Sequence, residues 1–209
     1  MADSIAALRD VYPVSRETGE RLEAFVALLR KWQPAENLVS PKTLPEIWRR
    51  HIADSAQLLR LFPRDKRWID LGAGAGLPGM VLAICLEGGV VHLVESNRRK
   101  CAFLRAAIRE TGAAAQVHEG RIEDVLAGWT EPVDRVTARA LAPLDALLGL
   151  AEPVMAKGVP AAFMKGQDAE AELSEARRRW SFSVNRHESL TGEGVILDIG
   201  ALRRAGESG

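Results

Sequence analysis

Asp70-Leu71-Gly72-Ala73-Gly74-Ala75-Gly76-Leu77-Pro78-Gly79 joins the apolar run Trp68-Ile69-Asp70-Leu71 to a second apolar stretch, Pro78 to Leu86. The first run has the length of a buried strand and the second that of a short helix. Glycines crowded between them let the backbone turn sharply and approach a ligand that a Cβ would exclude. Strand, glycine turn and helix in that order open a βαβ unit, and the chain continues in the same alternation. Val90–Val94 reads as a second strand, and Asn97 caps a helix that runs to Glu110 and stops at Gly112. Ala115–His118, Val133–Thr137 and Pro160–Met164 read as strands, and Leu144–Met155 and Ala169–Trp180 as helices. Phe182–Leu190 and Val195–Leu202 form a closing pair joined through Thr191-Gly192-Glu193-Gly194. The pattern predicts a doubly wound α/β domain. Its seven-stranded sheet is mostly parallel and covered on both faces, with an antiparallel strand at its C-terminal end.

Upstream of the loop the periodicity is helical. Leu22, Phe25, Val26, Leu29 and Trp32 recur at helical spacing behind Ser15 as N-cap. Gln33–Pro41, with two prolines, reads as a loop, and Thr43-Leu44-Pro45-Glu46 as a capping box opening a second helix. Residues 1–64 are therefore expected to form a helical extension packed on an α/β domain of residues 65–209. Trp32 and Trp48 sit at helical spacing and are expected in the core.

The 209 residues hold 28 Lys+Arg and 28 Asp+Glu, with 47% hydrophobic and 27% charged residues. Those proportions exclude a disordered chain, a collagen and a disulfide scaffold. The apolar runs fall short of the roughly 20 residues that span a bilayer. Met1-Ala2-Asp3-Ser4-Ile5 shows no basic region followed by an apolar block, so a cytoplasmic protein is expected, with Cys85 and Cys101 as reduced thiols. No Cys-His-Asp spacing suggests a metal site.

Gly74, Gly76 and Gly79 satisfy G-x-G-x-x-G, the dinucleotide fingerprint. Two residues argue against NAD. Asp70 places a carboxylate where a pyrophosphate would sit, and Pro78 removes a donor from the helix start. A ligand with an ammonium group suits Asp70 better, and S-adenosylmethionine carries one. Glu95, ending the second strand, is placed to grip a ribose diol, which both cofactors have. An oxidoreductase thus stands as a disfavoured alternative.

The same loop resembles that of the RsmG family, once called glucose-inhibited division protein B. Four more blocks follow in the family's order: Lys31-Trp32 with Asn37-Leu38-Val39-Ser40; Arg50-His51-Ile52-Ala53-Asp54-Ser55; Arg139-Ala140-Leu141-Ala142-Pro143-Leu144; and Lys165-Gly166. The resemblance implies S-adenosylmethionine as cofactor and methyl transfer to N7 of a guanine in 16S ribosomal RNA. It places Gly72 and Leu77 at the cofactor, Ile122 and Glu123 beside the adenine, and Arg139 at the methyl-transfer end as catalytic residue; Asp70, Gly74, Gly76 and Glu95 join the cofactor set from the reading of the loop itself. The plainer alternative for Arg139 is an ion pair with an acid such as Asp145. Lys31, Arg49, Arg50, His51 and Lys165 are the RNA-binding candidates. With no net charge, weak binding to free RNA is expected, and a ribosomal particle or precursor is the expected partner of a monomeric enzyme. A non-catalytic RNA-binding or assembly factor on the same fold is the competing reading. The last strand departs from the family's basic ending: Val195-Ile196-Leu197-Asp198-Ile199-Gly200 is apolar with one aspartate, which removes the support for RNA contact by that strand.

Overall fold

The computed structural model describes residues 3–192 and 194–206; Met1, Ala2 and Glu193 of the expected turn lie outside the described residues. Helices α1 (Ile5–Arg9), α2 (Arg16–Glu36) and α3 (Asp54–Leu61) precede the sheet. The sheet domain then runs β1 (Arg67–Leu71), α4 (Gly79–Cys85), β2 (Val90–Glu95), α5 (Arg98–Thr111), β3 (Ala115–Glu119), α6 (Ile122–Ala127), β4 (Arg135–Arg139), α7 (Leu144–Met155), β5 (Ala161–Lys165), α8 (Ala169–Ala176), β6 (Trp180–Glu188) and β7 (Val195–Arg204). The sheet has seven strands in the order β3-β2-β1-β4-β5-β7-β6. β7 pairs antiparallel with both β5 and β6. The antiparallel strand therefore lies inside the sheet, and the edge belongs to β6. A strand flanked on both sides must be apolar. That accounts for the composition of Val195–Ile199, where Asp198 takes an ion pair from Arg135 at 2.6 Å.

Alternation along β1 divides its side chains between two cores. Trp68 joins the core built with α1–α5, and Ile69 and Leu71 join the one under α6–α8. Asp70 falls on the α4 side. Order reverses between β1 and β4, so the loops leaving these two strands diverge and open a crevice at the carboxyl edge of the sheet.

Local signals held where the partner is close in sequence. Ser15 Oγ accepts from Thr18 N at 3.0 Å, and Asn97 Oδ1 from Arg99 N at 2.9 Å, as N-caps do. Three expectations give way to tertiary contacts. Helix α2 continues through Pro34 to Glu36, because its end is set by Asn37 in the left-handed region (φ 44°) and not by the proline. The capping box at Thr43–Glu46 does not form. Asp3, reaching from the N-terminus, accepts instead from Trp48 N at 2.9 Å and Arg49 N at 3.0 Å. Helix α8 stops at Ala176, since buried Trp180 opens β6 and donates its indole N–H to Asp145 at 2.9 Å. Both N-terminal tryptophans pack as expected: Trp48 is buried, and Trp32 meets Phe103 edge-on at 5.7 Å.

Candidate functional site

A cleft of about 770 Å³ occupies the crevice. Its floor is the glycine loop. Gly72, Gly74 and Gly76 have φ of 65°, 53° and 77°, a region that costs other residues roughly 1–2 kcal/mol. Two acids hold this turn from below. Glu95 Oε2 accepts from Gly74 N at 2.9 Å and its Oε1 from Asn97 N at 2.7 Å. Asp70 Oδ2 accepts from Gly79 N at 2.8 Å, whereas its buried Oδ1 has no hydrogen-bond partner. Both acids are buried. Their first task is to shape the loop, and each oxygen retains lone-pair capacity beyond it.

Burial pushes the Asp70 carboxyl up to about 7; the Gly79 N–H and the Arg139 charge oppose the shift, and Glu95 adds to it. An unfolded aspartate titrates near 3.8. Between about 4 and 7 the folded state therefore binds more protons, and stability falls as pH rises through that window. The loss is complete above 7. Asp70→Asn keeps an acceptor for Gly79 and removes the charge. Its melting temperature relative to the parent should rise from pH 4 to about pH 7 and level off above it. A pH-independent difference would show that Asp70 does not titrate there.

The wall opposite the loop comes from the N-terminal helices. Gln33 grips Val39 through both backbone groups, accepting from its N at 3.0 Å and donating to its O at 2.7 Å. This sets Leu38-Val39-Ser40 along the cleft. Thr43 Oγ1 donates to Ser40 O at 3.0 Å and meets His51 Nε2 at 2.8 Å. With its own hydrogen used, Thr43 Oγ1 must accept, so His51 carries its proton on Nε2 and Nδ1 stays bare and unpartnered. Burial, then the Arg139 and Arg50 charges, lower His51 to about 3, so its imidazole is neutral at physiological pH.

Arg139 ends β4 and stands in the wall shared with a second cavity of about 480 Å³. Its guanidinium makes two long contacts, to Arg50 O at 3.3 Å and Asp54 Oδ2 at 3.4 Å. Asp145 is not its partner, being occupied by Arg179 at 2.7 Å and Trp180. Asp54 is the hub here. Its Oδ1 also accepts from Thr191 Oγ1 at 2.8 Å, Gln57 Nε2 at 2.8 Å and Ser189 Oγ at 3.1 Å. One carboxylate thus ties the helical layer, the end of β4 and the β6–β7 turn together.

Of the residues singled out from sequence, Gly72, Gly74, Leu77, Arg50, His51 and Arg139 line the cleft. Gly76 belongs to the loop but turns its α-carbon toward Met80. Lys165 lines the second cavity. Arg49 is exposed and donates to Thr191 O at 3.3 Å, Lys31 is exposed on α2, and neither lines either cavity. Ile122 and Glu123 begin α6 outside the cleft wall, with Ile122 packed on the core and Glu123 exposed. Sequence reasoning assigned no role to Asp54, Lys100, Ser189 or Thr191, all of which line the cleft. Asp54 stood in a quoted block, Arg50–Ser55, and that was its one available signal.

Solved structures similar to this chain include methyltransferases. An O-methyltransferase from Bacillus cereus in complex with SAH gives a TM-score of 0.60 at 17% identity, covering 95% of this chain and 98% of that one. A methyltransferase from Geobacter sulfurreducens gives 0.57 at 16%, covering 90% and 96%. These likenesses concern the fold. Curated relatives are much nearer in sequence. The ribosomal RNA small subunit methyltransferase G of Rhodopseudomonas palustris (strain BisB18) is 53% identical, covering 99% of this chain and 90% of its own length. The protein of that name from Bradyrhizobium diazoefficiens is also 53% identical, covering 98% and 80%. The GidB model, described as rRNA small subunit methyltransferase G, matches residues 18–195, from helix α2 through the cleft to the first residue of β7. The chain belongs to the GidB family of rRNA small subunit methyltransferases G.

Proposed function

We propose that this protein transfers a methyl group from S-adenosylmethionine to N7 of a guanine in 16S ribosomal RNA, with a ribosomal particle or its precursor as the working substrate. The observation that carries this reading is the convergence, on one cleft at the switch point of the sheet, of the glycine loop, the acids beneath it and an under-engaged arginine. The residues fit the cofactor. A Cβ at Gly74 would meet only the Gly72 carbonyl oxygen, at 3.6 Å, so the loop is uncrowded there. Glu95 keeps acceptor capacity for a diol, and the bare Asp70 Oδ1 suits a cationic neighbour. When bound, S-adenosylmethionine supplies a methyl group activated by its sulfonium. Gly72 and Leu77 are proposed to contact it with Asp70, Gly74, Gly76 and Glu95; Ile122 and Glu123 are proposed to reach its adenine side.

Guanine N7 has a lone pair and no proton to lose, so the protein needs no general base. A neutral, hydrogen-bonded His51 is consistent with that. Catalysis then falls to positioning, an effect worth up to roughly 7–11 kcal/mol in well-oriented systems. Arg139 is the residue proposed to orient the reacting groups. Lys31, Arg49 and Arg50 face RNA phosphates in this reading, residues 1–64 act as a cap over the sheet domain of residues 65–209, and the protein works as a cytosolic monomer. No helix among the described residues is long and apolar enough to cross a membrane.

Two measurements test the proposal together: titration calorimetry with S-adenosylmethionine and with NAD, and transfer of labelled methyl to small ribosomal subunits lacking the modification. Heat with S-adenosylmethionine alone and labelled 16S RNA are expected. Cofactor heat without transfer to free RNA or particles would favour the non-catalytic assembly factor, and heat with NAD alone an oxidoreductase.

A further inference from the structure

Beside the cofactor cleft, across Arg139, the 480 Å³ cavity has apolar walls from Leu141, Pro143, Met164 and Ile196. Asp54 and Arg139 stand on the side it shares with the cleft, and farther in it holds the pair Lys165 and Glu172, 2.6 Å apart. Apolar walls with a few convergent polar groups are the composition of a site for a small planar molecule. The pair is held rigidly. Glu172 Oε2 forms the ion pair with Lys165 Nζ and accepts a hydrogen bond from Leu144 N at 2.6 Å, at the start of α7. Lys165 Nζ donates as well to Ala142 O at 2.8 Å, and its side chain is only 9% exposed. Two capacities remain. Glu172 Oε1 accepts no hydrogen bond from the described residues, and one N–H of the ammonium, which has three, is unspent.

An acceptor fixed beside a donor is a selective pattern among nucleobases. The Watson–Crick edge of guanine presents O6, N1–H and the 2-amino group in a row. It therefore meets the lysine with an acceptor and the carboxylate with donors. Adenine and cytosine carry a ring-nitrogen lone pair at the centre of that edge, which a carboxylate repels. Uracil offers N3–H but flanks it with a second carbonyl. Bases taken out of a stack are commonly read along this edge. It is also the edge that leaves N7 free.

We propose that Glu172 and Lys165 form a guanine-reading site in the second cavity, Glu172 accepting from N1–H and the 2-amino group and Lys165 donating to O6. The inference rests on the methyltransferase reading of the adjoining cleft and adds the residues that select the base. Reading by these two residues relieves Arg139 of a conflict: an arginine fork on O6 and N7 would occupy the nitrogen that must react.

Glu172→Gln is the informative change. The amide carbonyl can still accept from Leu144 N–H and Lys165, while the amide NH₂ replaces the free acceptor by a donor. Methylation is measured on 16S RNA carrying guanosine or, by splint ligation, inosine at the modified position. Inosine lacks only the 2-amino group. The parent enzyme should prefer guanosine by roughly 10- to 100-fold in kcat/KM, the worth of a charge-assisted hydrogen bond. Glu172→Gln should lose about 100-fold on guanosine and show a guanosine-to-inosine ratio near one, with cofactor affinity unchanged. A merely structural role would lower both substrates equally and leave the ratio intact, and that result overturns the inference. Lys165→Met should weaken guanosine methylation while keeping the ratio, since the 2-amino group is read by Glu172. A ratio near one in the parent enzyme refutes the proposal without any variant, even if Glu172→Gln fails to fold. No transfer by the parent enzyme to guanosine RNA or to particles would sink the methyltransferase reading itself, and this inference with it.

Discussion

Arg139→Lys should lose about 100-fold or more in methyl transfer to 16S RNA, the scale of a misplacement of about 1 Å in a reacting pair, and melt within a few degrees of the parent. The side chain is 17% exposed and, among the described residues, makes only two hydrogen bonds, at 3.3 and 3.4 Å, both longer than a well-formed one. A buried guanidinium with most of its donors unspent is costly unless another group completes it. Burial lowers its proton affinity, against the opposing charges of Asp54 and Asp70. Lysine keeps the ion pair with Asp54 but has no planar fork, and a point charge cannot hold two partners in fixed relation. The split of the loss names the partner. A raised Kd for S-adenosylmethionine would place the cofactor carboxylate on Arg139. An unchanged Kd with a raised KM for RNA would place O6 or a phosphate there. Near-normal turnover would remove Arg139 from the mechanism.

How much of this was legible in the sequence follows from the range of the interactions. The alternation of strands and helices is local, and every strand was found within two residues of its start. Caps at Ser15 and Asn97 depend on neighbours two or three residues away, and they formed. Asp3, by contrast, caps a turn 46 residues on, and no nearby pattern announces it. The glycine loop was legible because its chemistry is concentrated in ten consecutive residues. The hub at Asp54 was not, since its partners Ser189 and Thr191 lie 135 and 137 residues downstream. Glu172 was hidden for a similar reason. In a run such as Ala169-Glu170-Ala171-Glu172 an acid reads as solvated helix charge, until folding brings Lys165 and the start of α7 against one of the two glutamates.

The two acids under the loop explain why the G-x-G-x-x-G match misleads when read as a dinucleotide site. In that fingerprint the third glycine permits close packing of helix on strand. Here Gly79 does the same with an added partner, since its N–H is bonded to Asp70. The feature shared with dinucleotide folds is therefore a packing requirement, and the ligand is decided by what lies at the loop's rim. A carboxylate below and an arginine across the cleft favour a zwitterionic amino-acid moiety over a pyrophosphate.

That packing requirement leads to the second large effect. Gly79→Ala should abolish measurable cofactor binding by calorimetry and cost about 1–3 kcal/mol of stability, the range for overpacking a filled core. A Cβ at Gly79 would stand 2.3 Å from Leu93 Cδ2, 2.6 Å from Asp70 Oδ2 and 2.9 Å from Asp70 Cβ. Neither neighbour has room to retreat. Leu93 is fully buried on β2, and Asp70 is 1% exposed on β1 between paired strands. Helix α4 must then lift from the sheet, which breaks the Gly79–Asp70 hydrogen bond and displaces the loop that α4 continues. The backbone of Gly79 is not left-handed, so the penalty is one of space alone. Gly128→Ala is the matched control. A Cβ there meets nothing within 4 Å, its φ of −104° suits any residue, and Gly128 lines neither the cleft nor the second cavity. It should bind S-adenosylmethionine like the parent. If Gly79→Ala did so too, the loop would not be held in place by the packing of α4 on β1, and the cofactor would have to be gripped by residues outside it.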